Sequence, residues 1–162
     1  MSLAEIKRCA GCKVMEKEIV PIGGIICSTK NFVLTQNIEI PLEGCFTIQS
    51  KLHIKSINDF DEKQQLELMK LLAKTRKAMQ ELEISEEVTI FQEEKCNHFH
   101  ISLVPFYDWM EEKFGHGIDY LELIYKHVKG LALPEDNYVI ADVVKKMQEY
   151  FKENTKKKTT KK

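Results

Sequence analysis

Charge of one sign is what this sequence most conspicuously lacks. Its 24 Lys and Arg stand against 25 Asp and Glu, a formal net charge of −1. No overall field therefore draws the protein onto nucleic acid or an anionic membrane, and no specific nucleic-acid binding is expected. Also missing is any apolar run near the roughly 20 residues that a membrane span needs. The first residues carry no basic-then-apolar leader, so a soluble, cytoplasmic protein is expected. The five cysteines, Cys9, Cys12, Cys27, Cys45 and Cys96, are odd in number and lack framework spacing. In a reducing compartment such residues are metal ligands or apolar fillers more often than disulfides. Cys27, Cys45 and Cys96 lie within or beside apolar runs and are assigned the filler role.

What is present fits one hydrophobic core: 162 residues, 43% of them hydrophobic, predict a single domain over residues 1–153. The lysine-rich stretch 154–162 reads as a disordered, solubilising tail. Residues 25–28 and 32–36 pattern as short strands around a Thr29-Lys30-Asn31 hairpin turn, with 45–49 the next strand after a turn at Pro41-Leu42-Glu43-Gly44. The period then changes. Leu66, Met69, Leu72, Ala73, Arg76 and Met79 or Gln80 recur at helical spacing over 59–82, with Asp59 and Glu62 placed as a capping box. Residues 88–92 and 99–104 form a second strand pair that Pro105 stops. Helices follow over 120–128 and 134–151. Strands grouped apart from helices give an α+β class with an antiparallel sheet of about five strands.

Two segments carry chemistry. Cys9-Ala10-Gly11-Cys12 offers two thiolates from a tight turn. In His98-Phe99-His100-Ile101-Ser102 a strand's period of two puts His98, His100 and Ser102 on one face. A lone Cys-x-x-Cys is a redox pair, half a zinc site, or chance. There is no second Cys-x-x-Cys for a zinc ribbon, and the His-x-Glu of zinc deaminases is absent. A zinc reading thus needs two histidines, and His53 and His98 sit at or beside strand ends. Two thiolates and two imidazoles neutralise and fill a Zn2+ tetrahedron, making the metal structural. On its own, His100 reads as an ordinary, satisfied, partly buried histidine. Neither His116, between two glycines, nor His127, in a helical segment, fits the cluster. Trp109 is expected in the core or at a dimer contact.

The run from His98 to Pro105 resembles the histidine-triad (HIT) motif, His-φ-His-φ-His-φ-φ with a following proline, with Ser102 in the third histidine's place. Gly44 through Ile54, containing Lys51, His53 and Ile54, is similar to the family's glycine, apolar strand and Pro-Lys-x-His-Ile run, with Ser50 in place of the proline. Asn37-Ile38 occupies the place of its Asp-Ile pair. The likeness spans residues 9–107 and implies a HIT-like fold with a long helix after the third strand and further helices at the C-terminal end. In the zinc-carrying branch, and in the related galactose-1-phosphate uridylyltransferases, the matching residues bind metal, which implies structural zinc on Cys9, Cys12, His53 and His98.

The resemblance further implies His100 as the nucleophile that attacks a nucleotide's α-phosphorus, giving a nucleotidyl-histidine, with Ser102 in the catalytic group. Asn37, Ile38 and Asn97 become candidate nucleotide contacts, and pairing of sheets implies a homodimer. An imidazole with pKa near 6.5 suits both attack and departure at neutral pH. A serine hydroxyl can hydrogen-bond but is no useful acid there. The family's Gly-rich phosphate loop is missing, and Gln92-Glu93-Glu94-Lys95-Cys96-Asn97 replaces it with a shorter, acidic segment. The leading expectation is a zinc-stabilised nucleotide hydrolase or nucleotidyltransferase acting on a dinucleoside polyphosphate or similar nucleotide. Against it stand a HIT-like nucleotide-binding protein with little or no turnover, and a small redox or zinc protein.

Overall fold

The computed structural model describes residues 9–94, 96–115, 119–131 and 136–159; Lys95, His116 and the chain from residue 160 lie outside them. Helix α1 (Ala10–Met15) comes first, then strands β1 (Ile25–Ser28), β2 (Phe32–Gln36) and β3 (Phe46–Ser50). Helix α2 (Glu62–Glu81) leads to β4 (Glu87–Gln92) and β5 (His100–Phe106). Helices α3 (Asp108–Phe114), α4 (Asp119–Leu131) and α5 (Asp136–Thr159) complete the order. The strands form one antiparallel sheet in the order β1-β2-β3-β5-β4, which bears out the α+β expectation.

After β3 the chain crosses to the far edge through α2, then β4 turns back and β5 fills the gap beside β3. This crossover sets Phe46 against Leu103, Thr47 against Ser102, Ile48 against Ile101 and Gln49 against His100. Because successive side chains alternate, the pairing sorts residues by face. Phe32, Leu34, Phe46, Ile48, Ile101 and Leu103 enter the main core with Leu68, Leu71 and Met79 of α2 and Ile140, Val144 and Met147 of α5. Phe60 stacks edge-on with Phe32 and Phe99, ring centroids 5.2 and 4.7 Å away. On the other face Thr35, Thr47, Gln49 and Ser102 are buried although polar, and beside them Val104, Met110, Ile124 and Cys45 make a smaller core under α3 and α4.

Several local expectations are corrected. The buried face of α2 is Leu68, Leu71, Thr75, Ala78 and Met79, whereas Leu66 and Met69 are 55% and 56% exposed. The helix carries two apolar stripes, and Thr75 disguises the inner one; its hydroxyl donates to the Leu71 carbonyl at 2.8 Å and so is satisfied when buried. The helix is capped by Asp61 and Gln64, each side chain taking the other's backbone N–H at 2.8 and 2.9 Å. Asp59 instead closes a box with Ser56 around a 3-10 turn, Ile57–Asp59. The same spacing recurs in overlapping registers, so sequence alone does not select one.

Pro105 does not stop the last strand: β5 runs on to Phe106, with Pro105 opposite Val88. Pairing with β3 ends at Leu103, so the proline stands where β5 has a single neighbour, a position that tolerates it. The turn at residues 41–44 forms as expected, with Gly44 at φ 72°, a conformation that favours glycine. Cys45 is fully buried and Cys27 half-buried as fillers, but Cys96 is exposed. Trp109, 41% exposed, lies outside both cores and edges onto Phe114 and His127.

Candidate metal centre and nucleotide cavity

The Cys pair is not on a simple turn. Cys9 is the N-cap of α1, its sulfur accepting the Cys12 backbone N–H at 3.4 Å. Cys12 lies in the first turn of that helix, buried. Opening a helix is half of what a redox pair requires, but the partners of these sulfurs point to metal. Cys12 Sγ is 3.0 Å from His53 Nδ1 and 3.6 Å from His98 Nδ1, and Cys9 Sγ is 3.3 Å from His98 Nδ1. All four donor atoms lie within 4.8 Å of one another. A zinc tetrahedron with bonds of 2.0–2.3 Å has its donors roughly 3.3–3.8 Å apart, so the set is close to tetrahedral size.

The environment prepares these donors. His98 Nε2 donates to the Ser50 carbonyl at 2.7 Å, which fixes the tautomer and turns the Nδ1 lone pair toward the sulfurs. Burial holds the His98 imidazole below its ordinary pKa, with His53 and His100 adding to the shift and the Ser50 bond opposing it. It is therefore neutral at pH 7, as a ligand must be. Desolvation, reinforced by the neighbouring Cys9, raises the Cys12 thiol to about 11. A reactive redox cysteine is shifted the other way. A buried thiol that resists ionisation alone loses its proton when a cation binds.

Gly11 was not singled out from sequence, yet it decides whether the centre can close. A Cβ on Gly11 falls 2.5 Å from the His98 ring, and its carbonyl accepts from Gln49 Nε2 at 3.2 Å, tying α1 to the sheet. Gly11→Ala is expected to push His98 out of the donor set, weakening zinc at least about tenfold, as lost support around a metal typically does; competition titration against a chromophoric chelator reads it. Acidification is expected to act similarly. With His98 held below the unfolded value of about 6.5, the stability tied to its neutral form is complete above about pH 6.5 and declines as pH falls toward the lowered value. Thermal melts across that range should show the midpoint falling with pH, and zinc released alongside.

His100 starts β5, on the cavity face of the sheet, two residues beyond His98. Its Nδ1 donates to the His98 carbonyl at 3.0 Å, leaving Nε2 with the lone pair. His100 is half-buried and lines a cavity of about 1070 Å³ together with Cys9, His98, Ser102, Asn37, Ile38 and Asn97. The fold thus brings Cys9, Asn37, Ile38, Asn97, His98, His100 and Ser102 to one cavity, with Cys12 and His53 in the adjoining cluster. Ser102 is 1% exposed, and its hydroxyl accepts from Asn37 Nδ2 at 3.4 Å. Asn37 is engaged at both ends of its amide: Nδ2 also donates to Thr47 Oγ1 at 3.0 Å, and Oδ1 accepts the Glu39 and Ile40 backbone N–H groups at 2.8 and 2.9 Å. That pattern fixes the loop that carries Ile38 over the cavity.

Thr47 and Gln49, which floor the cavity, were not singled out either. Their signal is the polar–apolar alternation of Phe46-Thr47-Ile48-Gln49 inside an otherwise apolar segment. His116 lies outside the described residues. His127 stands apart from the centre, half-buried, with Nε2 2.9 Å from Lys113 Nζ.

No protein-family model matches the sequence, and no curated protein is matched by it. Solved structures do match. A histidine triad nucleotide-binding protein from Sulfolobus tokodaii is similar at a TM-score of 0.63 and 14% identity, over 89% of this chain and 94% of that one. A HIT-like protein involved in cell-cycle regulation from Bartonella henselae gives 0.61 and 15%, over 89% and 97%. A zinc-bound histidine triad family protein from Mycobacterium smegmatis gives 0.58 and 14%, over 89% and 98%. The chain therefore has the histidine-triad fold. With it goes a Cys2His2 cluster whose chemistry suits zinc. Among the described residues no helix is long and apolar enough to cross a membrane.

Proposed function

We propose that the protein is a zinc-stabilised nucleotide hydrolase or nucleotidyltransferase of HIT type, acting at the α-phosphorus through a nucleotidyl-histidine. The observation that carries this reading is the link between centre and cavity. His98 gives Nδ1 to the metal cluster and its carbonyl to His100, so the cluster that locks His98 also orients its neighbour. Zinc held by Cys9, Cys12, His53 and His98 would fix α1 and the start of β5 as a structural ion. The reacting groups belong to the chain alone.

In the first step His100 Nε2 forms a bond to phosphorus as the bond to the leaving group breaks, and the leaving group takes the electron pair. Nδ1–H remains bonded to the His98 carbonyl and stabilises the positive charge that grows on the ring. Water, or another acceptor, then attacks phosphorus and the P–N bond returns its electrons to Nε2. Ser102 orients through Asn37 and donates no proton of use at neutral pH, so leaving groups that depart as anions are favoured. The substrate class is a dinucleoside polyphosphate or a similar nucleotide. Ile38 and Asn97 supply contacts at the cavity rim, and Asn37 sets the loop that presents Ile38. A cytoplasmic setting keeps the thiols available to zinc. A homodimer is supported by β4, which forms a sheet edge with Ile90 substantially exposed.

A second reading, a nucleotide-binding protein of this fold with little turnover, is favoured by one observation: the buried Ser102 hydroxyl has replaced the group that would assist departure. Steady-state hydrolysis of p-nitrophenyl esters of nucleoside 5′-monophosphates separates the two, because that leaving group needs no proton. Release of p-nitrophenolate supports catalysis. Saturable binding without release establishes the binding protein.

A further inference from the structure

Between β3 and the 3-10 turn at Ile57–Asp59 the chain runs through Leu52 to Ser56 with neither helix nor strand. This short strap is anchored to β3 where the Leu52 carbonyl accepts the Ser50 hydroxyl at 2.8 Å. Further ties lead from it to the segment that edges the cavity and opens β5. His53 enters the metal cluster beside His98, ring centroids 5.3 Å apart. The Ile54 carbonyl accepts the Phe99 backbone N–H. At the far end the Ser56 hydroxyl donates to the Glu94 carboxylate at 2.6 Å. Ser56 is itself held in place: its oxygen accepts the Asn58 N–H at 3.2 Å, and its own N–H donates to Asp59 Oδ2 at 3.2 Å. With the oxygen so fixed, the hydroxyl proton is left to point at Glu94. Glu94 in turn stands between Gln92 and Glu93 on one side and Cys96 and Asn97 on the other, all of which line the cavity.

We propose that Ser56 and Glu94 are positioning residues that carry the state of the metal centre to the edge of the cavity. The link runs from the cluster through His53 and the strap to Ser56, and from there to Glu94 and the cavity residues around it. It is separate from the contact between His98 and His100, which acts within β5 and its approach. An ion on the cluster would fix His53 and with it the course of the strap. Without the ion, His53 no longer holds the strap to α1 and His98. A hydroxyl–carboxylate bond weakens steeply once distance and alignment are lost, so the tie to Glu94 loosens with the strap. The consequence for a bound ligand rests on the nucleotide reading above, whereas the link itself stands without it.

Cys96, an exposed thiol just beyond Glu94, reports on this link. The full chain, zinc-loaded or stripped by a chelator, is pulse-alkylated with iodoacetamide, and peptide mass spectrometry reads Cys96 apart from Cys9 and Cys12. Stripping zinc should speed alkylation of Cys96 by about two- to fivefold, the scale of one hydrogen bond near the surface. Ser56→Ala and Glu94→Ala should each give a similar rise with zinc still bound, and stripping either variant should add little more. Ser56→Thr, which keeps the hydroxyl, should restore the wild-type rate and its dependence on zinc. Equal rates in zinc-loaded wild type and Ser56→Ala overturn the link. An equal acceleration on stripping wild type and Ser56→Ala also overturns it, because the coupling then runs through His98. Equilibrium dialysis against the 5′-monophosphates of adenosine, guanosine, cytidine and uridine reads the consequence for the ligand. The nucleotide that binds wild type should bind zinc-loaded Ser56→Ala about two- to fivefold more weakly, and unchanged affinity overturns that consequence. Failure of all of these to bind wild type counts against the nucleotide reading, while the Cys96 rates still decide the link.

Discussion

His53→Ala is expected to empty the metal centre and to cost the protein a large part of its stability. His53 reaches the cluster from the chain just beyond β3, while Cys9 and Cys12 belong to α1 and His98 precedes β5. An ion held there would join three segments, and neither Cys9 nor Cys12 belongs to either hydrophobic core. With one imidazole gone, two buried thiols and His98 remain without the fourth donor, and zinc affinity should fall more than about a hundredfold. Losing a buried, fully ligated centre costs about 3 kcal/mol or more, which lowers the melting midpoint by roughly 6–12 °C in a domain this size. The sheet core packed by α2 and α5 should survive, so far-ultraviolet circular dichroism stays close to wild type while α1 loosens. Metal analysis of protein prepared without added zinc reads the first effect and thermal melting the second. Full zinc content in His53→Ala would remove His53 from the centre.

The other large effect is expected at His100. His100→Ala should abolish turnover, a loss of at least about 10⁴-fold if the side chain is the nucleophile and not an assisting acid or base, whose removal costs about 10²–10⁴. Zinc content and melting midpoint should hardly move, because His100 bonds to His98 through the His98 carbonyl and contributes no donor to the cluster. The two variants therefore separate the roles of adjacent motif positions. On the proposed function, the centre would hold the strand in place and the next side chain along its face would perform the attack. Residual turnover within about tenfold of wild type would assign the chemistry to another residue.

The strands were legible wherever apolar residues alternate or run unbroken between turns. Residues 25–28 and 32–36 form as expected, and 45–49 and 88–92 are displaced by a single position at one or both ends. The gathering of Cys9, Cys12, His53 and His98 was legible because thiolates and imidazoles at these positions have few other uses together. What sequence left ambiguous has physical causes. Two apolar stripes on α2 are equivalent until the sheet selects one, and the hydroxyl of Thr75 hides the one selected. Helix α1 is only six residues long and owes its form to the cluster around Cys9 and Cys12 more than to propensity, so no periodicity announces it. Pro105 stays in β5 because β3 has already ended, a fact of pairing that no single segment contains. The closeness of Gly11 to His98 likewise exists only once distant segments meet.

Intact-mass spectrometry during turnover tests the covalent role of His100 most directly. Zinc-loaded wild type and His100→Ala are mixed with p-nitrophenyl esters of nucleoside 5′-monophosphates and quenched at alkaline pH, where a phosphorus–nitrogen bond to histidine persists. Wild type should gain the mass of one nucleotidyl group per chain, and His100→Ala should gain none while keeping its zinc. Turnover by wild type with no such species, or the same added mass on His100→Ala, would contradict a nucleotidyl-histidine at this position.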